Sequence, residues 1–195
     1  MGSGHRSDRL DLVQLLAGHK ITIPPLYLRQ ARLSDCDQIA EFHLRIWRLT
    51  YGNIAPAQAI EALDFDRRQG QWRAKLSAAR KLSLTLLAED ETGNILGLCD
   101  LAESEILDFP DAIEVTHLYL DSTVRGLGVG RIFLHLARDW LDECKRSDLV
   151  LAVVEQNKQA LAFYQACGGQ PVGEQLDKGP LWRSENVIIW WSSAN

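Results

Sequence analysis

Three glycines and two arginines fall within the seven residues Arg125-Gly126-Leu127-Gly128-Val129-Gly130-Arg131. The segment before them, Glu114–Leu120, reads as a β-strand, with branched and aromatic residues and apolar positions recurring every second residue. The segment after them reads as a helix. A strand that turns through glycines into a helix start suits an anion. Glycine lets backbone amides come close, the first amides of a helix have no internal partner, and the helix dipole favours negative charge there. A ligand with a phosphate end and a reactive end would put its phosphates on Gly126–Gly130 and run its tail along the strand towards Glu114.

The glycine pattern is neither of the two common phosphate motifs. No Gly-Lys-Ser/Thr follows the glycines, so the lysine and the metal-binding hydroxyl of a P-loop are missing. A dinucleotide fingerprint starting at Gly126 needs glycine at position 131, where Arg131 stands. A second group lies downstream. Asn157, Ala160, Leu161 and Tyr164 are spaced to share one face of a helix.

The elements that must position these residues follow from periodicity. Residues 7–19 carry a capping residue, apolar Leu12, Leu15 and Leu16 and a glycine stop, which predicts a short helix ending near Ala17. Leu26–Arg32 is a first strand, and Ser34-Asp35 opens a helix through Leu49. Helical pattern resumes over 56–64 and 66–80. Leu82–Ala88 and Ile95–Ala102 are strands around a turn at 91–94. A helix is expected over about 129–146, with Phe133, Leu136, Ala137, Trp140, Leu141 and Cys144 as its core stripe. Asp148–Val154 is a continuously apolar, buried strand. Asn157–Cys167 is a helix stopped by Gly168-Gly169, and Pro171–Leu176 and Asn186–Trp191 form an antiparallel strand pair. The sum is one α/β domain with a mixed sheet of about seven strands and helices on both faces. Residues 26–195 make up the domain, and 1–25 an N-terminal extension that is partly a tag.

Bulk properties narrow the function. The chain has 195 residues, 46% hydrophobic, enough for one domain with its own core. A net charge of -5 argues against a broad nucleic-acid face. Cys36, Cys99, Cys144 and Cys167 contain no CxxC pair, so no metal is expected and the thiols read as free in a reducing compartment. No apolar run reaches membrane-spanning length and the N-terminus lacks a signal-peptide core, which predicts a cytoplasmic protein.

With the motifs in register, the chain resembles the GNAT superfamily of N-acetyltransferases. Arg125, Gly128 and Gly130 fill its [QR]-x-x-G-x-[GA] signature, and Asn157, Ala160, Phe163, Tyr164 and Gly168 fill its second element. Ile46–Pro56 is similar to a segment of one branch of these enzymes, and Gly169 departs from the phenylalanine many of them carry. The resemblance implies a central strand splayed from its neighbour and acetyl-coenzyme A as co-substrate. It places Arg125, Gly126, Leu127, Gly128, Val129, Gly130 and Arg131 on the diphosphate, the backbone of Leu118, Tyr119 and Leu120 along the pantetheine and acetyl oxygen, and Asn157 beside the same tail. It makes Glu114 the general base, often through water, and Tyr164 the acid that protonates the leaving thiolate. His117 has parity opposite to Glu114 unless a bulge intervenes, and reads as a packed histidine. His43, Trp47 and Tyr51 are either acceptor-cleft lining or core.

The expected reaction is direct acetyl transfer to a primary amine. Rival readings are another acyl-CoA or an alcohol acceptor, and a non-catalytic acyl-CoA-binding module. The acidic run Asp100, Glu103, Glu105, Asp108, Asp111 and Glu114 either attracts a cationic acceptor or is a solvated loop. Many such enzymes are homodimers, though no residue here marks an interface.

Overall fold

Alternating apolar residues build one mixed sheet in the computed structural model, which describes residues 10–11, 25–78, 82–177, 179 and 182–192. The strands are β1 (Leu10–Asp11), β2 (Tyr27–Gln30), β3 (Ser83–Glu89), β4 (Ile95–Glu103), β5 (Ile113–Leu120), β6 (Asp148–Val154), β7 (Gln170–Leu176) and β8 (Glu185–Ser192). Their spatial order is β1-β2-β3-β4-β5-β6-β8-β7. Every neighbouring pair is antiparallel except β5 and β6, which run parallel. The helices are α1 (Cys36–Tyr51), α2 (Ala57–Glu61), α3 (Phe65–Ser77), α4 (Val129–Cys144) and α5 (Lys158–Ala166).

The two faces of the sheet bury different sets of side chains. Leu101, Cys99, Val115 and Leu149 pack against Phe133, Ala137 and Leu141 of α4, and against Tyr164 of α5. On the other face Leu87 and Leu98 pack against Ile39, Phe42 and Ile46 of α1 and Trp72 of α3. Beyond them, Ile106 and Ala112 from the loop before β5 cover Val150 and Ile188. In α4, Leu134 is buried while Leu136, Trp140 and Cys144 are only half-buried, so the stripe that faces the core is rotated slightly from the expected one.

The helix expected over 7–19 is corrected where it can be seen. Leu10 and Asp11 are extended and pair with Leu28 and Tyr27. The backbone edge of β2 offers hydrogen bonds that a helix there could not use. The remainder of that segment lies outside the described residues.

The ends of α5 follow its sequence. The Asn157 side chain accepts from the Ala160 amide at 3.2 Å, and Gly168, at φ +84°, lets the Gly169 amide reach the Tyr164 carbonyl at 2.9 Å. A side chain at 169 has no room, since a Cβ there would lie 2.5 Å from Ile189 and 2.6 Å from the Trp191 ring. Trp191 fills the space that a phenylalanine at 169 would take.

Candidate active site

β5 and β6 pair only at their start, Ile113 with Leu149 and Glu114 with Val150. Past those two pairs the strands separate, and a cleft of about 570 Å³ opens between Val115–Leu120 and Leu151–Val153. The sheet edge of β5 is thereby left free to pair with a guest. Asn157, which caps α5, and Phe163 and Tyr164 within it line the cleft, as do Thr50 and Tyr51 at the end of α1.

The glycine turn sits at the far end. Asp121 fixes its entry, accepting from the Thr123 amide at 3.0 Å and from Arg45 at 2.5 Å, while its own amide donates to Leu96. Burial would raise the Asp121 carboxyl, but these bonds outweigh it and hold it at about 2. Gly126 and Gly128 are left-handed, at φ +77° and +89°. No acceptor among the described residues takes the amides of Arg125, Gly126, Gly128, Val129, Gly130 or Arg131; only Leu127 donates, at 3.4 Å, to Val124. Glycine at 130 is needed for approach, because a Cβ there would lie 2.8 Å from the Phe163 ring that brings α5 alongside α4. The arginines are folded back onto the frame: Arg125 Nε donates to the Leu120 carbonyl at 3.1 Å and Arg131 to the Ala166 carbonyl at 3.3 Å. Both still line the cleft.

Most of the residues singled out from the sequence therefore meet here: Leu118, Tyr119, Leu120, Arg125, Gly126, Gly128, Gly130, Arg131, Asn157 and Tyr164 all line the cleft. Leu127 and Val129 shape the turn from behind, with Val129 fully buried. Tyr164 is buried, edge-on to Trp191, and burial pushes its phenol well up, so it holds its proton at neutral pH. Glu114 stands apart. It lies at the foot of the slot outside the lining, its carboxylate accepts from the Glu105 amide at 3.0 Å, and burial raises its pKa.

The sequence reading passed over a polar cluster on the α1–α3 side. β4 pairs Asp100 with His117 but Leu101 with Val115, so Thr116 is a bulge. The bulge puts His117 and Tyr119 on the same face as Glu114. A signal was present: apolar positions run odd at Ile113 and Val115, then even at Leu118 and Leu120. Asp100 is fully buried and accepts from Thr85 at 2.7 Å, from Lys75 and from Thr116. His43, Trp72 and Tyr119 surround the His117 ring, with centroids 4.8, 5.3 and 6.0 Å away. Trp72 Nε1 donates to His43 Nδ1 at 3.1 Å, and burial drives the His43 pKa well down. Tyr51, at the end of α1, lines the cleft together with Tyr119 and Asn157.

Asp100 gives the cluster a pH signature. Burial would raise its carboxyl, but His117 and Lys75 outweigh burial and hold it at about 2, below the ordinary 3.8. A depressed carboxylate stabilises the fold above its unfolded pKa, and that contribution fades as pH falls through the folded value. The shift corresponds to about 2 kcal/mol. Urea unfolding should show Asp100→Asn less stable than wild type at pH 7, with the gap narrowing between pH 4 and pH 2 as both chains carry a neutral side chain. A gap that stays constant with pH would remove the charge from the account.

Among the described residues, no group of three or more His, Cys, Asp or Glu side chains is placed to hold a metal ion, and no helix is long and apolar enough to cross a membrane. A sequence profile of the acetyltransferase (GNAT) family matches residues 41–169. The chain is 29% identical to the uncharacterized N-acetyltransferase YuaI of Bacillus subtilis (strain 168) over 168 residues, 84% of this chain and 91% of the relative. Among solved structures, the PaiA N-acetyltransferase of Thermoplasma acidophilum in complex with coenzyme A superposes with a TM-score of 0.68 at 18% identity, covering 86% of this chain and 98% of that one. A mutant of the spermidine N-acetyltransferase SpeG of Vibrio cholerae does so with a TM-score of 0.61 at 18% identity, covering 87% and 94%. At such identities the structural likenesses speak for the fold.

Proposed function

The chain belongs to the acetyltransferase (GNAT) family, and on that premise we propose that it moves an acetyl group from acetyl-coenzyme A directly onto a primary amine of a small molecule or protein. The observation that carries the reading is the splayed β5–β6 slot ending in a run of backbone amides that, Leu127 aside, have no acceptor among the described residues. The diphosphate would lie on Arg125–Arg131, where free amides and a helix start favour negative charge. The pantetheine would continue β5 as an added strand along Leu118–Leu120, and a β5 amide would face the developing oxyanion.

In the reaction the amine nitrogen attacks the thioester carbon, the C–N bond forms, the C–S bond breaks, and the thiolate takes a proton. Tyr164 is the protonated group in the cleft on the α5 side, and we assign it that proton. Glu114, from where it stands, reaches the acceptor nitrogen only through water. The proposed acceptor is an amine. Four of the six carboxylates in 100–114 are engaged: Asp100 with Lys75, Glu103 and Asp111 with Arg146, and Glu114 with the Glu105 amide. Exposed Glu105 and Asp108 remain to favour a cationic substrate, and SpeG, of the same fold, is named for spermidine.

The test is thiol release from acetyl-CoA across a panel of cationic and neutral amines, with the acetylated product identified by mass. In Tyr164→Phe, kcat should fall roughly 100-fold while the coenzyme dissociation constant stays put. Full activity in that variant would take the acid role away from Tyr164. Coenzyme binding without transfer to any amine would point to the non-catalytic reading.

A further inference from the structure

His117 lines the cleft, and 26% of its side chain is exposed there. Its Nδ1 lies 3.1 Å from Thr116 Oγ1 and 3.7 Å from Asp100 Oδ2. The Thr116 hydroxyl has a single proton, which it donates to the Asp100 carboxylate. Towards Nδ1 that oxygen can therefore only accept, so Nδ1 carries the hydrogen and Nε2 carries the lone pair. Nε2 has no partner among the described residues and is not enclosed, so it opens onto the cleft.

We propose that His117 takes the proton from the acceptor nitrogen, with Asp100 and Thr116 as the residues that position its ring. The inference rests on the amine-transfer reading above. As the amine attacks the thioester, the nitrogen becomes positively charged; the Nε2 lone pair removes its proton, the C–S bond breaks, and the imidazolium later returns that proton to solvent. Nδ1–H stays in place throughout. The positioning is the kind that fixes a catalytic imidazole in one tautomer.

The groups facing the ring set its charge. Asp100 from β4 favours the imidazolium. Burial, and Lys75 and Arg68 from α3, disfavour it and prevail, so His117 is neutral at pH 7 and ready to accept. His43 from α1 is neutral beside it, and Tyr119 is held protonated by burial. Glu114 is the competing carboxylate, with its pKa moved up by burial.

The experiment uses the full chain with acetyl-CoA and three probe amines: spermidine, lysine methyl ester and n-hexylamine. Wild type, His117→Ala, His117→Gln and Glu114→Gln are compared by the pH profile of kcat/KM and by calorimetry with coenzyme A. The wild-type acidic limb is expected below pH 6.5, since activity is lost as His117 protonates and its pKa lies under that value. Both His117 variants should lose roughly 100-fold in kcat/KM at unchanged coenzyme affinity. Their acidic limb should vanish, and added imidazole should restore part of the rate in His117→Ala. Glu114→Gln should keep the limb. His117→Gln preserves the size of the side chain and serves if the alanine variant does not fold. A limb that survives in His117→Gln, or disappears in Glu114→Gln instead, overturns the inference and leaves the proposed function standing. No transfer by wild type to any of the three amines, with coenzyme still bound, overturns both.

Discussion

Gly126→Asp is expected to weaken coenzyme A binding at least roughly 100-fold, about 2.7 kcal/mol, while moving the melting temperature by no more than about 3 °C. Gly126 is left-handed at φ +77°, and aspartate is among the few residues that tolerate that region. A Cβ at this position meets nothing within 4 Å, so the fold should accept the side chain. The carboxylate would then project from the turn whose amides, Leu127 aside, have no acceptor among the described residues and are proposed to hold the diphosphate. Two like charges 4 Å apart repel by roughly 4 kcal/mol at the effective dielectric of a protein surface, more than the loss asked for. Gly126→Asn has nearly the same shape without the charge and should cost under about fivefold. Calorimetry with coenzyme A and a thermal melt read both quantities. Equal affinities for the Asp and Asn variants would mean that the diphosphate sits elsewhere.

The second expectation concerns stability, on the β2–β3 side of the sheet. Arg29 of β2 donates to both oxygens of Asp35, at 2.6 and 3.0 Å, and to Glu89 at the end of β3. The Glu89 side chain is 1% exposed. Burial would lower the Arg29 pKa, but the two carboxylates outweigh it and raise it; Asp35 is lowered by the same partners against its own burial. Removing Arg29 takes the shared cation away from two carboxylates that are largely out of solvent, at a cost of about 3 kcal/mol. Arg29→Ala should therefore melt roughly 6–12 °C below wild type. Coenzyme affinity in the folded fraction should not change, since Arg29 is not among the residues lining the cleft. Urea unfolding checks the free energy; a loss below about 1 kcal/mol would show that desolvation had already cancelled the attraction.

Local chemistry made much of this molecule legible in its amino acids. The glycine turn was readable because left-handed backbone and a helix start both leave their mark on residue type, and Gly126 and Gly128 do adopt positive φ. The strand Asp148–Val154 and the hairpin about residues 91–94 were readable because their periodicity and turn residues are local properties. Gly168 ended α5 for the same reason. Harder was the segment 7–19, where apolar spacing fits a helix but Leu10 and Asp11 find a sheet edge that no local pattern announces.

The amino-acid order alone settled most of the elements, the left-handed glycine turn and the helix that Asn157 opens and that carries Tyr164, because each depends on residues within a few positions of one another. Which carboxylate or imidazole reaches the cleft was settled only by pairing between distant strands. One extra residue at Thr116, defined by its register against Asp100 and Leu101, turns His117 into line with Glu114 and Tyr119. Asp100, counted with an acidic surface run in the sequence, ends fully buried between Lys75 and Thr116. Side-chain direction in a strand reverses with each residue, so a single slip that costs the chain little locally decides what chemistry the site can do.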